Sequence, residues 1–565
     1  MNVTQVTSGQ GVEGYTERSA GVVSLNELFA GAKNEEGLTH PWLIAATVVI
    51  AVFMEVLDTS IANVALLHIA GNLSAGVDES TWVLTSYLVA NAIVLPLSGW
   101  FSMLFGRKRF YMTCVALFTM SSFACGLAPN LGILVFFRIL QGAGGGALQP
   151  VSQAILVESF PHQKRGMAMA MFGMGVVVAP IIGPTLGGWL TDNYSWRWIF
   201  LINIPVGVLS LLMTKWLIFD PPYLKRKTFA TGLKIDYIGI GLLSVGLGFL
   251  QVVLDKGERE DWLSAHFIVG CAVLTVIGLV GALIWELHSK DPAVDFRLFK
   301  DRNLGVATFT MFMLGVTLYG STMLLPFFLQ ILMGYTAMQS GLALSVGGLV
   351  VLICLPIVGR LLVRVEPRWL VIFGVLVVSM SLFHMAHFNL DIDFRTAMMA
   401  RVYQSAGMAF LFVPINVMAF AFLAKSKVNN ATGLINLARN VGGSVGIAMV
   451  TTLLARRTQF HQSILVGHMT PFDGSYRAAL AGATQALMAG GSNLTQATGQ
   501  AQALLYGMLQ RHAAMLAFAD DFWLMGIAFL VIIPLMFLMK KSRHHTGEES
   551  SLEVLPEGDE TAGQG

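Results

Sequence analysis

The apolar residues of this chain fall into repeated runs of about 20, the length at which an α-helix spans a hydrocarbon core of ~30 Å. Backbone amides in lipid have to be satisfied within their own segment, so runs of this kind fold as membrane-crossing helices. Only 12% of the 565 residues are charged while 55% are hydrophobic, and a soluble domain would need roughly twice that charge to clothe its surface. Fourteen spans are expected, near 42–67, 80–104, 110–128, 132–157, 166–190, 198–219, 236–254, 264–287, 304–329, 338–362, 369–388, 396–423, 431–455 and 519–540. The expected fold class is an all-α integral membrane protein.

Charge and cysteine usage exclude several function classes. The net charge is +2 and the basic residues form short clusters between spans, not one basic face, so no nucleic-acid partner is expected. Cys114, Cys125, Cys271 and Cys354 all sit inside apolar runs and suggest neither a disulfide framework nor a zinc site. Residues 1–41 lack the basic start, short apolar core and cleavage site of a signal peptide and read as a cytoplasmic tail. Residues 541–565, basic and then acidic, read as a disordered tail.

An even number of spans puts both termini on one side, and positive charge names that side. One set of connections holds Arg107, Lys108, Arg109, Lys164, Arg165, Lys225, Arg226, Lys227, Lys290, Arg297, Lys300, Arg302, Arg360, Arg364, Arg368, Lys425, Lys427, Lys540, Lys541 and Arg543. The short connections opposite contribute only Arg197, Lys256, Arg259 and Arg395. Both termini are therefore expected in the cytoplasm. The 456–518 connection is exempt, because long loops translocate regardless of charge.

The chain also repeats itself. Arg138, Gln141 and Gly144 in span 4 recur with the same spacing as Arg401, Gln404 and Gly407 in span 12, and Pro96 and Gly99 in span 2 recur as Pro356 and Gly359 in span 10. Internal repeats of this kind are how many secondary transporters are built. The division that follows is a six-helix half over 42–219, an inserted pair with its flanking loops over 220–303, and a second six-helix half over 304–540.

Two acids lie inside span 1. Glu55 and Asp58 share a helical face, and a carboxylate at that depth must face protein or water. Arg138 lies well inside span 4 with no acid beside it in sequence, so it is expected to face the carboxylates across the bundle. Such a set is either a proton switch or a static ion pair. Asp58, flanked by Thr59, Ser60 and Asn63, is the better proton carrier and Glu55 the weaker one.

Span 5 carries Gly173, Gly175, Pro180, Gly183, Pro184, Gly187 and Gly188, a pattern that permits close helix approach and bending. It reads as a gating element or as close packing without motion, and Gly142 to Gly146 in span 4 read likewise. Asn63, Asn91, Gln149, Tyr319, Asn416 and Arg439 are candidate polar points in a Met- and Phe-rich cavity suited to amphipathic ligands. His384 and His387 read as an interfacial polar pair or as a pH or metal pair. The Ala-, Gln- and Gly-rich 456–518 loop, with a stretch from Ser475 to Ala517 able to fold as helices on the outer face, reads as a docking surface or a spacer.

Several motifs, taken together, resemble one family. Leu57-Asp58-Thr59 with Asn63-Val64-Ala65, Arg138 with Gln141-Gly142, Gly173 through Gly188, and Trp196-Arg197-Trp198-Ile199-Phe200 with Asn203 and Pro205 resemble the fourteen-helix drug:proton antiporter branch (EmrB/QacA-like) of the major facilitator superfamily, over roughly residues 42–540. The resemblance implies that Asp58 couples to protons, that Arg138 is linked to proton transfer, and that the glycine pattern of span 5 favours export. It further implies efflux of hydrophobic or amphipathic compounds with a membrane-fusion adaptor (EmrA-like) and an outer-membrane channel (TolC-like) as partners. Gly99, Gly106, Arg107 and Lys108 match the family's gating motif after span 2, but Met103 stands where an acid is usual.

With no nucleotide-binding motif in the chain, the energy is expected from a proton gradient, without cofactor or metal. One charge moving through 100 mV supplies about 2.3 kcal/mol, or roughly a fifty-fold substrate gradient. A dedicated exporter of one compound class, such as fatty acids or siderophores, shares every motif. A nutrient importer is disfavoured by span 5, and no catalytic constellation marks an enzyme.

Overall fold

The computed structural model describes residues 40–161, 164–219, 236–258, 260–289, 292–423 and 427–540. The tails expected at 1–41 and 541–565 lie almost wholly outside these residues, as do the basic residues Lys225, Arg226, Lys227, Arg259, Lys290, Lys425, Lys541 and Arg543. The helices are α1 (Pro41–Asn72), α2 (Trp82–Phe105), α3 (Arg107–Gly126), α4 (Leu131–Gly145 and Leu148–Ser159), α5 (Arg165–Asn193) and α6 (Trp198–Leu201 and Asn203–Leu217) in the first half. The inserted pair is α7 (Tyr237–Lys256) and α8 (His266–His288). Then come α9 (Arg302–Phe327, running on as a π-turn to Leu332), α10 (Ala337–Leu361), α11 (Pro367–Ala386), α12 (Phe394–Phe420), α13 (Val428–Val466), α14 (Gly474–Ala489) and α15 (Leu494–Leu530). Among the described residues 13 helices are long and apolar enough to cross a membrane. The fourteenth is α3, whose apolar stretch is diluted by Arg107, Lys108 and Arg109 at its start, yet whose 20 residues pack between α4 and α6.

Local chemistry sets the helix starts. Asn130 accepts the amide of Ile133 at the start of α4, Asp301 those of Asn303 and Leu304 at α9, and Asp393 that of Thr396 at α12. Each cap satisfies an amide that a helix start leaves without an intrahelical partner. Thr336 and Gln339 form a reciprocal capping box at α10.

The two halves repeat their packing. In the first, α1 lies on α5, α2 on α4, and α3 on α4; in the second, α9 lies on α13, α10 on α12, and α11 on α12. This is the arrangement that the internal repeat predicts, two pseudo-symmetric six-helix halves plus an inserted pair. The halves meet along α2/α13 and α5/α10, and the contacts concentrate toward one end. Gly99 faces Asn430, Gly433 faces Leu95 and Pro96, and Gly166 faces Gly359 and Leu362. Thr432 donates to the carbonyl of Pro150 (3.1 Å) and Asn436 to Gln153 (3.0 Å). That end carries the basic clusters, and Lys108, Arg368 and Asn303 tie helix termini together there. Toward the other end, a Cβ added at Gly188 or Gly341 would meet no neighbouring helix within 4 Å, so the seam is closed at the basic end.

The 456–518 segment departs from the sequence reading. It is not a loop between spans ending at 455 and starting at 519: α13 continues unbroken to Val466 and α15 begins at Leu494. At 1.5 Å per residue the 39 residues of α13 run about 58 Å, well beyond a ~30 Å core. Hydropathy ends near Leu454, but Ala455, Arg456, Arg457, Gln459, Gln462 and Leu465 keep the helix going because they are strong helix formers. Between the two extensions α14 packs on α15, so the stretch from Ser475 to Ala517 is helical but stands on the spans. Likewise α5 stays a continuous helix from Arg165 to Asn193 through its glycine and proline pattern.

Candidate functional site

Asp58 sits on α1 in the middle of the first half, buried, and receives three hydrogen bonds. Arg138 Nη1 donates to its Oδ2 (2.6 Å), while Gln141 Nε2 (2.9 Å) and Asn203 Nδ2 (2.8 Å) donate to its Oδ1. Arg138 is fully buried on α4; its Nε donates to the Val83 carbonyl (2.9 Å) and its Nη1 also to Gln141 Oε1 (2.9 Å). The guanidinium lies 4.3 Å from the Tyr87 ring centroid and 5.6 Å from that of Phe200, an arrangement in which the ring faces attract the cation. Nη2 of Arg138 has no partner. A buried ion pair of this kind resists loss of either charge, because the survivor is left unpaired away from water. Protonating Asp58 would therefore leave Arg138 without its counter-charge.

The helices come this close because of Gly142. A Cβ there would stand 3.0 Å from the Tyr87 Cα and closer still to its carbonyl oxygen, so only glycine admits α2 against α4 at this point. Gly146 faces the Asn91 backbone in the same way.

Glu55, one turn before Asp58, is served by a different set. Gln149 Nε2 donates to it at 2.8 Å, Tyr87 Oη at 3.2 Å and Asn91 Nδ2 at 3.3 Å. Arg138 thus meets one of the two carboxylates, not both. Gln149 in turn accepts from Nη2 of Arg439 on α13, and Asn440 donates to Asn91 (3.4 Å). Glu55 is therefore linked across the seam to the second half through one neutral side chain. Tyr87 joins the two centres, its ring against Arg138 and its hydroxyl on Glu55. We expect Glu55→Gln to turn one of the two oxygens facing three donors into a further donor and to lower stability by about 1–3 kcal/mol, without abolishing transport. Thermal unfolding and transport assays on the same preparation check both parts.

The repeat places a related centre in the second half. Arg401 Nη1 donates to Gln404 Oε1 (2.6 Å), as Arg138 does to Gln141, but its other partners are the hydroxyls of Ser321 (3.3 Å) and Thr322 (2.9 Å) on α9.

The remaining candidates scatter. Asn63 is exposed and donates to the Thr59 carbonyl (2.9 Å). Asn416 is buried but bonds within its own helix, to Phe412 (2.7 Å), and Tyr319 lies half-exposed with its ring against Gly443. Gly183 faces Ser60 and Gly187 faces Ile61, packing α5 on α1; the side chain of Pro184 lies outside the described residues. Gly106 has φ 81° and makes the turn between α2 and α3. Arg107 pairs with Glu158 at the end of α4, so an acid from another helix serves this arginine while Met103 offers none. His387 Nδ1 bonds the Phe383 carbonyl (2.7 Å) and His384 packs edge-on to Phe388; no group of three His, Cys, Asp or Glu able to hold a metal occurs among the described residues. The direct ligands that sequence reasoning did not single out are Asn203, Gln141 and Tyr87. Asn203 and Gln141 stand inside motifs already noted, whereas Tyr87 carries no signal in its apolar run.

The chain has extensive relatives. It is 36% identical over 514 residues to the fatty acid resistance protein FarB of Neisseria gonorrhoeae, covering 91% of this chain and 98% of that protein. It is 34% identical over 492 residues to the multidrug export protein EmrB of Escherichia coli (strain K12), covering 87% and 94%, and 30% identical over 505 residues to the colistin resistance protein EmrB of Acinetobacter baumannii, covering 89% and 97%. Among solved structures it superposes on the proton:xylose symporter XylE with a TM-score of 0.57 at 13% identity, covering 88% of this chain and 95% of that one. The human organic anion transporter MFSD10 gives 0.53 at 13%, covering 86% and 99%. At such low identity these two speak for the fold alone. A bundle of fourteen membrane helices in two matched halves, with the Major Facilitator Superfamily model running across the seam between them from residue 48 to 447, makes the chain a member of that superfamily.

Proposed function

We propose that the chain is a proton-driven multidrug exporter that moves hydrophobic and amphipathic compounds across the bacterial inner membrane by alternating access. The observation that carries this reading is the buried Asp58–Arg138 pair, the kind of group whose charge state a proton can change inside a rocking bundle. Relatives named as multidrug export proteins support the substrate class. With basic connections on the inside, both termini lie in the cytoplasm and the closed basic end is the cytoplasmic end. The structure then stands in an outward-facing arrangement, in which Asp58 exchanges its proton with the far side and Arg138 and Gln141 hold the unloaded carboxylate. The superfamily is one of transporters, and no cofactor besides the proton gradient enters the cycle.

A dedicated exporter of fatty acids is the second reading, favoured by the match to a fatty acid resistance protein over nearly its whole length. A periplasmic membrane-fusion adaptor (EmrA-like) would dock on the α13–α14–α15 extension and pass substrate to an outer-membrane channel (TolC-like). From Gln462 to Gln510 that extension has only Asp473 and Arg477 as charged residues, far below a free protein surface. It exposes Phe472, Leu494, Ile464 and Met508, and α14 and α15 border an open groove lined by Leu480, Met488 and Leu494 together with Arg477, Thr484, Gln485 and Thr498.

The deciding experiment uses proteoliposomes with an imposed proton gradient and a panel of lipophilic dyes and fatty acids. Gradient-dependent movement of several unrelated dyes is the expected result. Movement of fatty acids alone would favour the second reading, and movement down a substrate gradient that ignores pH would sink proton coupling.

A further inference from the structure

The two halves carry the same arginine–glutamine pair, but only one carries the acid. Asp58 precedes Arg138 by 80 residues, and Ser321 precedes Arg401 by the same 80, each pair joined by a bond from the arginine Nη1. Ser321 therefore stands where the repeat would put the carboxylate. Its hydroxyl accepts from Arg401 and itself donates to the Leu318 carbonyl (3.2 Å), so it supplies no charge. Among the described residues Arg401 has no carboxylate partner and no aromatic face, although it is only 7% exposed. A guanidinium so far from water without a counter-charge is strongly disfavoured.

A second observation points the same way. In the first half Gln141 Nε2 donates to Asp58 Oδ1; in the second, Gln404 Nε2 is buried and has no partner, and neither has Arg401 Nε. The donor that holds the carboxylate in one half is unused in the other. With the half-buried Thr322 hydroxyl beside them, these groups form a set of donors around one positive charge. We propose that the second half binds a small inorganic monoanion, chloride in the cell, against Arg401, Gln404 and Thr322, where the first half uses Asp58. A dianion would bring more charge than one guanidinium balances. The anion neutralises Arg401 and pins α12 to α9, leaving the proton-responsive pair to the first half alone. This holds whether or not the chain exports drugs.

The test is thermal unfolding of the detergent-purified full chain in sodium gluconate, with chloride replacing gluconate at constant ionic strength. The wild type is expected to melt higher as chloride rises, with saturation, and bromide to act alike. Ser321→Asp, which restores the carboxylate, should melt higher than wild type in gluconate and lose the chloride response. Thr322→Val, a milder change, should shift the chloride midpoint upward about tenfold, the factor for one lost hydrogen bond. Equal melting of the wild type in chloride and gluconate would overturn the proposal, as would an unchanged chloride response in Ser321→Asp. A response to acetate or laurate with none to chloride would also overturn it, assigning the donors to an organic carboxylate instead.

Discussion

Replacing Asp58 with asparagine should abolish gradient-driven export, lowering the rate at least about a hundredfold, the change that a loss of about 2.7 kcal/mol produces. The substitution removes the charge that faces Arg138 and leaves a fully buried guanidinium with neutral oxygens only, those of Val83, Gln141 and the new amide. Loss of one partner of such a pair destabilises by about 3–5 kcal/mol, so unfolding must be followed alongside transport. The informative comparison is Asp58→Glu, which keeps the charge and shifts its position by one methylene. If Asp58→Glu transports slowly and Asp58→Asn not at all, with both folded in proteoliposomes, the proton is carried here. Wild-type rates from Asp58→Asn would move the proton site elsewhere, with Glu55 the next carboxylate to test.

The second large effect is expected at a residue that carries no charge. Gly142→Val sets two methyl groups and a Cβ against the Tyr87 backbone, which cannot rotate away as a side chain can. Overpacking of this type costs about 3 kcal/mol, the upper end for crowded interiors, and the displaced helix carries Arg138 and Gln141 away from Asp58. Stable monodisperse protein should fall sharply, and whatever folds should not couple to protons. Gly142→Ala should be the milder of the two in both assays. A Gly142→Val protein with normal melting and normal export would mean that α2 and α4 stand farther apart in the working protein.

Much of this was readable from the chain alone, and for identifiable reasons. The spans were legible because a lipid environment demands runs of about 20 apolar residues, and the Asp58–Arg138 contact because a lone buried charge must find its opposite. Glu55 was not placed with its partners, since a neutral glutamine stands between it and Arg439, and neutral links leave no imprint in charge patterning. The ends of α13 and α15 were missed because hydropathy reports lipid contact, whereas helix continuation beyond the lipid depends on the propensity of Ala, Gln and Leu. The Arg401 repeat was visible, but that hydroxyls replace the acid in the second half required the register between α9 and α12.

The same two long helices make the second half a lever. The unbroken α13 belongs to the membrane core at Arg439 and to the exposed hairpin at Val466, with no loop in between to absorb motion. Its tip stands about 40 Å beyond Arg439 by helix rise alone, so a 10° tilt of the half about Arg439 sweeps the tip through about 7 Å. A protein resting on that hairpin would be moved at every turnover and, by the same rigidity, could hold the half still.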